Sequence, residues 1–256
     1  MRYAELLAQI VTDIRIAVSL STILPVGPAK PVDNGEVAQA SWALPVAGLV
    51  VGLAGTVFYA IARKLGLPTG PAAVLALAAT ILVTGAIHED GLADTLDGLG
   101  GGRSREQKLD IMRDSRIGSY GACVLIVSLI ARWSALATIA EPAAVAAALL
   151  IAHAAARAVL PAFMWLIPPA RSDGLSAGAG QPSPQSAVIA VGLGILCLVI
   201  GFGPGRAMIG LMLLSIGVLL WGFIATRQIG GQTGDILGAL EQVGEIAILL
   251  MAAAVF

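Results

Sequence analysis

Apolar residues run along this chain in long unbroken stretches instead of alternating with polar ones, and that pattern predicts membrane-crossing helices. Such a helix needs about 20 mostly apolar residues. Seven stretches qualify, at roughly 42–62, 70–88, 119–139, 142–167, 186–203, 206–225 and 236–256. The segment Tyr3–Leu20 differs, because Glu5, Asp13 and Arg15 are distributed among its apolar positions. It reads as an amphipathic helix lying at the membrane interface. Charge interrupts it and no small-residue cleavage site follows, so a cleaved signal peptide is not expected. Pro25 to Pro31 then forms an extended link, and residues 1–40 make an interfacial N-terminal segment. The expected fold class is all-α: a polytopic integral membrane bundle of about seven transmembrane helices, forming one transmembrane domain over 1–256.

Composition supports this reading. The apolar class makes up 57% of the residues and charged ones 12%, against about 45–50% and about 25% in soluble domains. A water-soluble globule of this kind would lack the polar side chains to cover itself. The 15 lysines and arginines nearly balance 16 acids, a net charge of −1, which excludes a basic nucleic-acid-binding surface and a charge-driven disordered chain. Cys123 and Cys197 sit far apart in apolar runs, so neither a disulfide framework nor a zinc pattern is present. With seven crossings, ten basic residues fall on the N-terminal side, among them Arg2, Arg15, the five between Arg103 and Arg116, Arg171 and Arg227. Arg63, Lys64 and Arg206 fall on the other. Positive charge collects on the cytoplasmic side of membrane proteins, so the N-terminal side is expected to be cytoplasmic.

Seven of the sixteen acids lie in one connection, residues 88–118: Glu89, Asp90, Asp94, Asp97, Glu106, Asp110 and Asp114. On a helix, Asp90, Asp94 and Asp97 fall within an arc of roughly 60°. Gly100–Gly102 then breaks that helix. Ser104 and Gln107 form a capping box that opens a second one, which Gly118 is placed to close, with Asp110 and Asp114 on one face. The expected object is a helical hairpin with carboxylates on both arms. Like charges packed on a helix face repel, and they are poorly solvated near a membrane; a divalent cation removes both penalties. Magnesium takes oxygen ligands, commonly one or two carboxylates plus substrate phosphates, and a pair of such ions can clamp a displacement at phosphorus. Arg103, Arg105, Lys108, Arg113 and Arg116 are placed to meet the remaining phosphate charge. The plainer alternative is a solvated amphipathic loop held by ion pairs; the spacing, the glycines and the position at a span's end favour metal and phosphate.

Other ionisable residues carry paired readings. His88 either orients a carboxylate or moves a proton, or it caps a helix at the interface. His153 and Arg157 share one face of the fourth span, where structural pairing is preferred over substrate contact. Glu241 and Glu245, one turn apart, are expected to pair with Arg132 or Arg157. In the sixth connection, Gly230 to Asp235 is either a helix cap provided by Asp235 or a Gly-rich anion seat at a helix N-terminus. Pro168 to Pro184 is long enough to border a substrate mouth but specifies no chemistry.

Three motifs carry a resemblance. His88-x-Asp90-Gly91-Leu92-Ala93-Asp94-Thr95-x-Asp97-Gly98 is followed by Ile111-Met112-Arg113-Asp114-Ser115-Arg116-Ile117-Gly118-Ser119-Tyr120-Gly121, and Gly231-x-Thr233-Gly234-Asp235-x-Leu237-Gly238-Ala239 lies near the C-terminus. Together they resemble the signature of the cobalamin synthase family, the adenosylcobinamide-GDP ribazoletransferases. Arg157 to Gly174 and Leu24-Pro25-Val26 match more loosely, so the resemblance spans most of the chain. Glu89 and Leu96 occupy variable slots, and Ser119 stands where threonine is common. The resemblance implies a multi-pass enzyme of the bacterial inner membrane with its active site on the cytoplasmic side. Its substrates would be adenosylcobinamide-GDP and α-ribazole or its 5′-phosphate, its metal magnesium, and its products adenosylcobalamin or its phosphate with GMP. It implies that Asp90, Asp94, Asp97 and Asp114 hold magnesium with Asp110 assisting, His88 acting beside them. Arg103, Lys108, Arg113, Arg116, Arg157, Gly231, Thr233 and Asp235 would contact substrate. Beyond the bilayer and these small molecules, a homo-oligomer or a complex with pathway enzymes is left open, and no nucleic-acid partner is expected. The alternatives are an intramembrane prenyltransferase, an enzyme like the CDP-alcohol phosphotransferases, and a secondary transporter using Arg132, His153, Arg157, Glu241 and Glu245.

Overall fold

The computed structural model describes residues 3–28 and 30–256; Arg2, counted above among the charges, lies outside the described residues with Met1 and Ala29. In chain order the helices are α1 Tyr3–Ser21, α2 Asn34–Ala40, α3 Leu44–Lys64, α4 Thr69–Thr84, α5 Ile87–Gly101, α6 Arg105–Ile111, α7 Ser119–Ile139, α8 Pro142–Ala158, α9 Leu160–Leu166, α10 Leu175–Ala179, α11 Pro184–Ile229 and α12 Gly234–Val255, with a 3₁₀ turn at Ser41–Ala43 joining α2 to α3. Extended pairing among the described residues is confined to one parallel bridge between Pro169 and Gln232. The all-helical expectation holds.

Five helical stretches are long and apolar enough to cross a membrane: α2 with α3, α7, α8 with α9, α11, and α12. α4 meets that standard only together with α5, in a pair bent by 86°. α11 has 46 residues, yet its backbone leaves the helix at Gly203 (φ 75°, ψ 165°), directly before Pro204. Beyond this break the chain doubles back. A Cβ on Gly210 would sit 3.0 Å from Leu198 Cδ2, whereas a straight helix would hold those residues ~18 Å apart. The two arms correspond to the expected stretches 186–203 and 206–225. Seven crossings are reached only when these arms and α4 are each counted.

The bend after α4 positions everything that follows. Gly85 (φ 64°) and Ala86 (φ 59°) are both left-handed; glycine adopts this at little cost, whereas Ala86 costs about 1–2 kcal/mol. The reward is that α5 leaves the axis of α4 and lies across one end of the bundle, against α7 and α12. The expected span 70–88 therefore ends early, at Thr84.

Small residues set the bundle's packing. α3 lies against α8, where a Cβ on Gly52 would come within 2.7 Å of Leu149 O. Close backbone approach of this kind is how membrane helices associate without a hydrophobic drive. The outer surface is inverted relative to a soluble protein: Leu82, Ile200 and Leu219 are 69%, 77% and 71% exposed. α1 is amphipathic, as its sequence predicts. Tyr3, Leu7 and Val11 form an exposed apolar stripe at four-residue spacing. On the inner face, buried Asp13 accepts hydrogen bonds from Gln9 Nε2 (2.7 Å) and Trp42 Nε1 (2.8 Å). Arg15 donates to the carbonyls of Val26 and Gly27, both at 2.8 Å, strapping the link that follows.

Candidate active site

α5 and α12 meet backbone to backbone. A Cβ on Gly91 would stand 3.0 Å from Asp235 O, and one on Gly238 would stand 3.3 Å from His88 Cα. Glycine at both positions is what allows the two helices to close. The closure sets Asp235, on the first turn of α12, beside the acidic face of α5. Asp94 is half-buried there, and its carboxyl is pushed up to about 7 by burial and by the charges of Asp90, Asp235 and Asp97. The charges of three acidic side chains from two helices thus bear on one that resists ionisation, although among the described residues the acids whose ligand atoms all lie within 4.8 Å of one another are Glu241 and Glu245, with His153, and not these. Thr233, not Asp235, caps α12: its hydroxyl accepts from Ile236 N (3.3 Å) and donates to Asp235 Oδ2 (3.1 Å).

The remaining predicted ligands are placed otherwise. Asp97 is buried, and its oxygens accept hydrogen bonds from Gly118 N (2.7 Å) and Gly121 N (2.9 Å). It holds down the N-terminus of α7, whose amides would otherwise be orphaned. A Cβ on Gly118 or Gly121 would collide with that carboxylate, which explains the glycines of the second motif. The second arm of the expected hairpin is shorter than predicted. Ser104 caps α6, accepting from Gln107 N at 3.2 Å, but the expected box does not close, because Gln107 Oε1 accepts from Arg103 N (3.1 Å), and α6 ends at Ile111. Asp114 therefore lies beyond it and shares no helix face with Asp110. Asp110 is exposed, and neither it nor Asp114 is among the charges facing Asp94. Asp114 is committed to Arg116, 2.5 Å away, which holds its carboxyl down at about 2.

The cations are similarly dispersed. Arg113 grips Asp173 (2.6 Å), Lys108 donates to Gln228 Oε1, and Arg103 is exposed. Arg105 ties α6 to its neighbours through the carbonyls of Ile229 (2.8 Å) and Ala170 (2.6 Å). Gly231 is buried against Pro168. The backbone bonds Gln232 N to Pro168 O (2.9 Å) and Ala170 N to Gln232 O (2.8 Å) stitch the two loops together. The Gly-rich turn is thus fixed in place by backbone hydrogen bonds.

Beside the acids lies a cavity of about 230 Å³ bordered by α1, α5, α9, α10 and α12. His88, Asp90, Ser176 and Asp235 form its polar side. His88 connects it to the bundle core. Its Nδ1 lies 3.4 Å from Arg157 Nη2; a guanidinium only donates, so Nδ1 is the acceptor and Nε2 carries the hydrogen. Arg157 is 1% exposed, too deep for direct contact with a diphosphate at the acidic face. It donates instead to Glu241 Oε1 and to His153 O (3.2 Å). Arg132 pairs with Glu89 (2.9 Å) and Glu245 (3.5 Å), and Gln242 bridges Glu241 (3.2 Å) and Glu245 (3.3 Å). The preferred reading of these buried charges as static partners is the one the geometry supports.

The model of the cobalamin-5-phosphate synthase family matches residues 13–253. The chain belongs to this family. An adenosylcobinamide-GDP ribazoletransferase from Bradyrhizobium diazoefficiens is 62% identical over 250 residues, covering 98% of this chain and 96% of the relative. Enzymes with the same description from Mesorhizobium japonicum and Azorhizobium caulinodans are 51% and 42% identical, covering 95% and 98% of this chain and 93% and 97% of their own. No solved structure matches the chain. Membership in the cobalamin-5-phosphate synthase family sets aside the prenyltransferase and transporter alternatives.

One residue of this family member escaped the sequence reading. Arg171 sits in the loop that specified no chemistry, yet its Nη2 is 3.7 Å from Asp235 Oδ2, and its Nη1 is buried without a hydrogen-bond partner. Only the docking of that loop on the start of α12 brings it to the acids. For Asp97, replacement by alanine is expected to destabilise the protein by about 2–4 kcal/mol, two charge-assisted bonds to buried amides being lost. Thermal melting of the purified variant checks this; an unchanged midpoint would free Asp97 from its capping role.

Proposed function

We propose that this protein is an adenosylcobinamide-GDP ribazoletransferase, working from the cytoplasmic face of a bacterial inner membrane. The observation that carries the reading is the convergence of Asp90 and Asp94 from α5 with Asp235 from α12, so that Asp94 is pushed up to about 7, in a chain 62% identical to an enzyme of that description. The orientation is supported by Arg105, Lys108, Arg113 and Arg171, all anchored at the bundle end where α5 lies.

The donor set consists of carboxylate oxygens, the chemistry magnesium selects over softer metals. Asp90, Asp94 and Asp235 would hold it. Bound there, the ion would neutralise the diphosphate and make its phosphorus easier to attack. In the transfer, a ribose hydroxyl oxygen of α-ribazole or its 5′-phosphate forms a bond to the cobinamide-side phosphorus. The bond from that phosphorus to the GMP oxygen breaks, and the hydroxyl proton is released. Most of what the protein contributes to such a reaction is positioning and charge. Arg171, with an unpaired buried nitrogen beside Asp235, is suited to grip a phosphate oxygen. Neutral His88, its Nδ1 occupied by Arg157, offers a hydrogen-bond donor and not a base.

The test is direct. Purified protein given adenosylcobinamide-GDP, α-ribazole and magnesium should release GMP; chelation should stop release and magnesium restore it. Turnover undiminished by chelator would refute the metal, and no GMP under any divalent cation would refute the activity.

A further inference from the structure

The cavity beside the acids has a second face that the transfer chemistry leaves unused. Besides His88, Asp90 and Asp235 its lining is mostly apolar, with Leu20, Leu160, Met164, Ala179 and Leu237, interrupted by the hydroxyls of Ser21 and Ser176. This end adjoins a smaller hollow of about 60 Å³ that shares Leu20, Met164 and Ala179 with it. The wall is built from the tail of α1, from α9 and from α10. α10 is a five-residue helix with positive φ at the glycines on either side, Gly174 (91°) and Gly180 (76°), and its buried Ser176 donates to Gln232 Oε1.

Size and polarity decide what can enter. At about 230 Å³ the cavity lies just below the ~300–1,000 Å³ of typical small-ligand sites. A corrin macrocycle is excluded on volume and must lie outside. Guanine carries several amide and amino groups that need partners, and the leucine and methionine side chains that make up most of the lining offer none, at a cost of ~1–3 kcal/mol for each group left unsatisfied. Phosphate cannot be buried against that wall at all. The piece that remains is the dimethylated fused bicyclic base of the riboside: flat, apolar, and without an N–H once joined to its sugar. Its one free ring nitrogen is an acceptor, and His88 supplies the donor on the polar side.

We propose that the apolar end of this cavity seats the base of the riboside acceptor and sets which bases are used. The proposal rests on the transfer reading above. It gives the site a consistent layout: the base goes into the apolar end, its ribose points toward Asp90 and Asp235, and the cobinamide diphosphate arrives from the open side. α10 and α9 then act as specificity elements, since adding or removing side-chain volume there changes the space for the base without touching a carboxylate.

Two variants of the full-length purified protein test it, with each substrate varied separately and GMP release as readout. Ala179→Phe, which fills the wall, should raise KM for α-ribazole about tenfold and leave KM for adenosylcobinamide-GDP within about twofold. The penalty should shrink when the riboside of unsubstituted benzimidazole is supplied. Met164→Ala, which enlarges the wall, should shift preference toward bulkier bases, and it decides the matter if Ala179→Phe does not fold. A rise in KM for adenosylcobinamide-GDP in place of α-ribazole, or no change of either KM in a folded variant, overturns the base seat while leaving the transfer reading intact. Failure of the unmodified protein to transfer ribazole overturns that reading, and this one with it.

Discussion

Asp94→Asn should cost about 10²–10³-fold in ribazole transfer while making the protein slightly more stable. The two effects have one cause. Asp94 is half-buried beside Asp90, Asp235 and Asp97, and this environment pushes its carboxyl up to about 7. Asparagine keeps the shape and removes the repelling charge. A residue kept at a cost to stability is characteristic of a functional site. The sign with pH follows by linkage. The folded protein holds the Asp94 proton up to about pH 7, whereas the unfolded chain releases it near the ordinary value of 3.8. Between these limits the folded state binds more protons, so its stability declines as pH rises, and the decline is complete above the folded value. In chelator, the melting point of Asp94→Asn relative to the unmodified protein should therefore climb from pH 4 to pH 7 and then level off. Undiminished GMP release by the variant would remove Asp94 from the site; a flat difference in melting point would remove the crowding.

The same residues mark how far the sequence could be read. Crossing helices are legible because length and apolarity are properties of contiguous residues, and even the reversal within α11 is announced by Gly203 and Pro204. The bend at Gly85 and Ala86 is not, since it falls inside an apolar window and one of its two left-handed residues is an alanine. Carboxylate spacing places Asp90 and Asp94 on one face of α5, because a helix face is a local property. Spacing does not reveal the partners that occupy Asp97 and Asp114: the amides of Gly118 and Gly121, and Arg116 across the end of a shorter helix than expected. Asp235 and Arg171 join the site only through docking of α12 and of the 168–170 loop, and the glycines that permit it, Gly91 and Gly231, stand inside the sequence motifs with nothing local to show that they serve close packing. The buried pairs were legible by contrast, because Glu241, Glu245, His153 and Arg157 repeat at one-turn spacing on helices with no water to receive them.

Those pairs support the other large effect. Arg157 and Glu241 are 1% and 0% exposed and bonded to each other. Breaking a buried pair from one side strands a charge, at about 3–5 kcal/mol, whereas replacing both partners with apolar residues of similar volume is often close to neutral. Arg157→Met and Glu241→Met should thus each destabilise the protein strongly, and the double variant should regain most of the loss. The two singles should also differ. A carboxyl left alone can neutralise itself by taking up a proton, but a guanidinium cannot lose one, so Glu241→Met should be the more damaging. Melting of the two single variants, the double variant and the unmodified protein in one detergent completes the cycle; small additive losses would mean the pair is not coupled. The double variant also separates fold from function. It restores the packing but not the donor that holds His88 Nδ1, so the ring is free to take either tautomer. Transfer should then stay well below that of the unmodified protein although stability has returned. Full activity in the double variant would confine Arg157 to architecture; persistent loss would establish that the buried pair sets the hydrogen-bonding state of the histidine at the cavity wall.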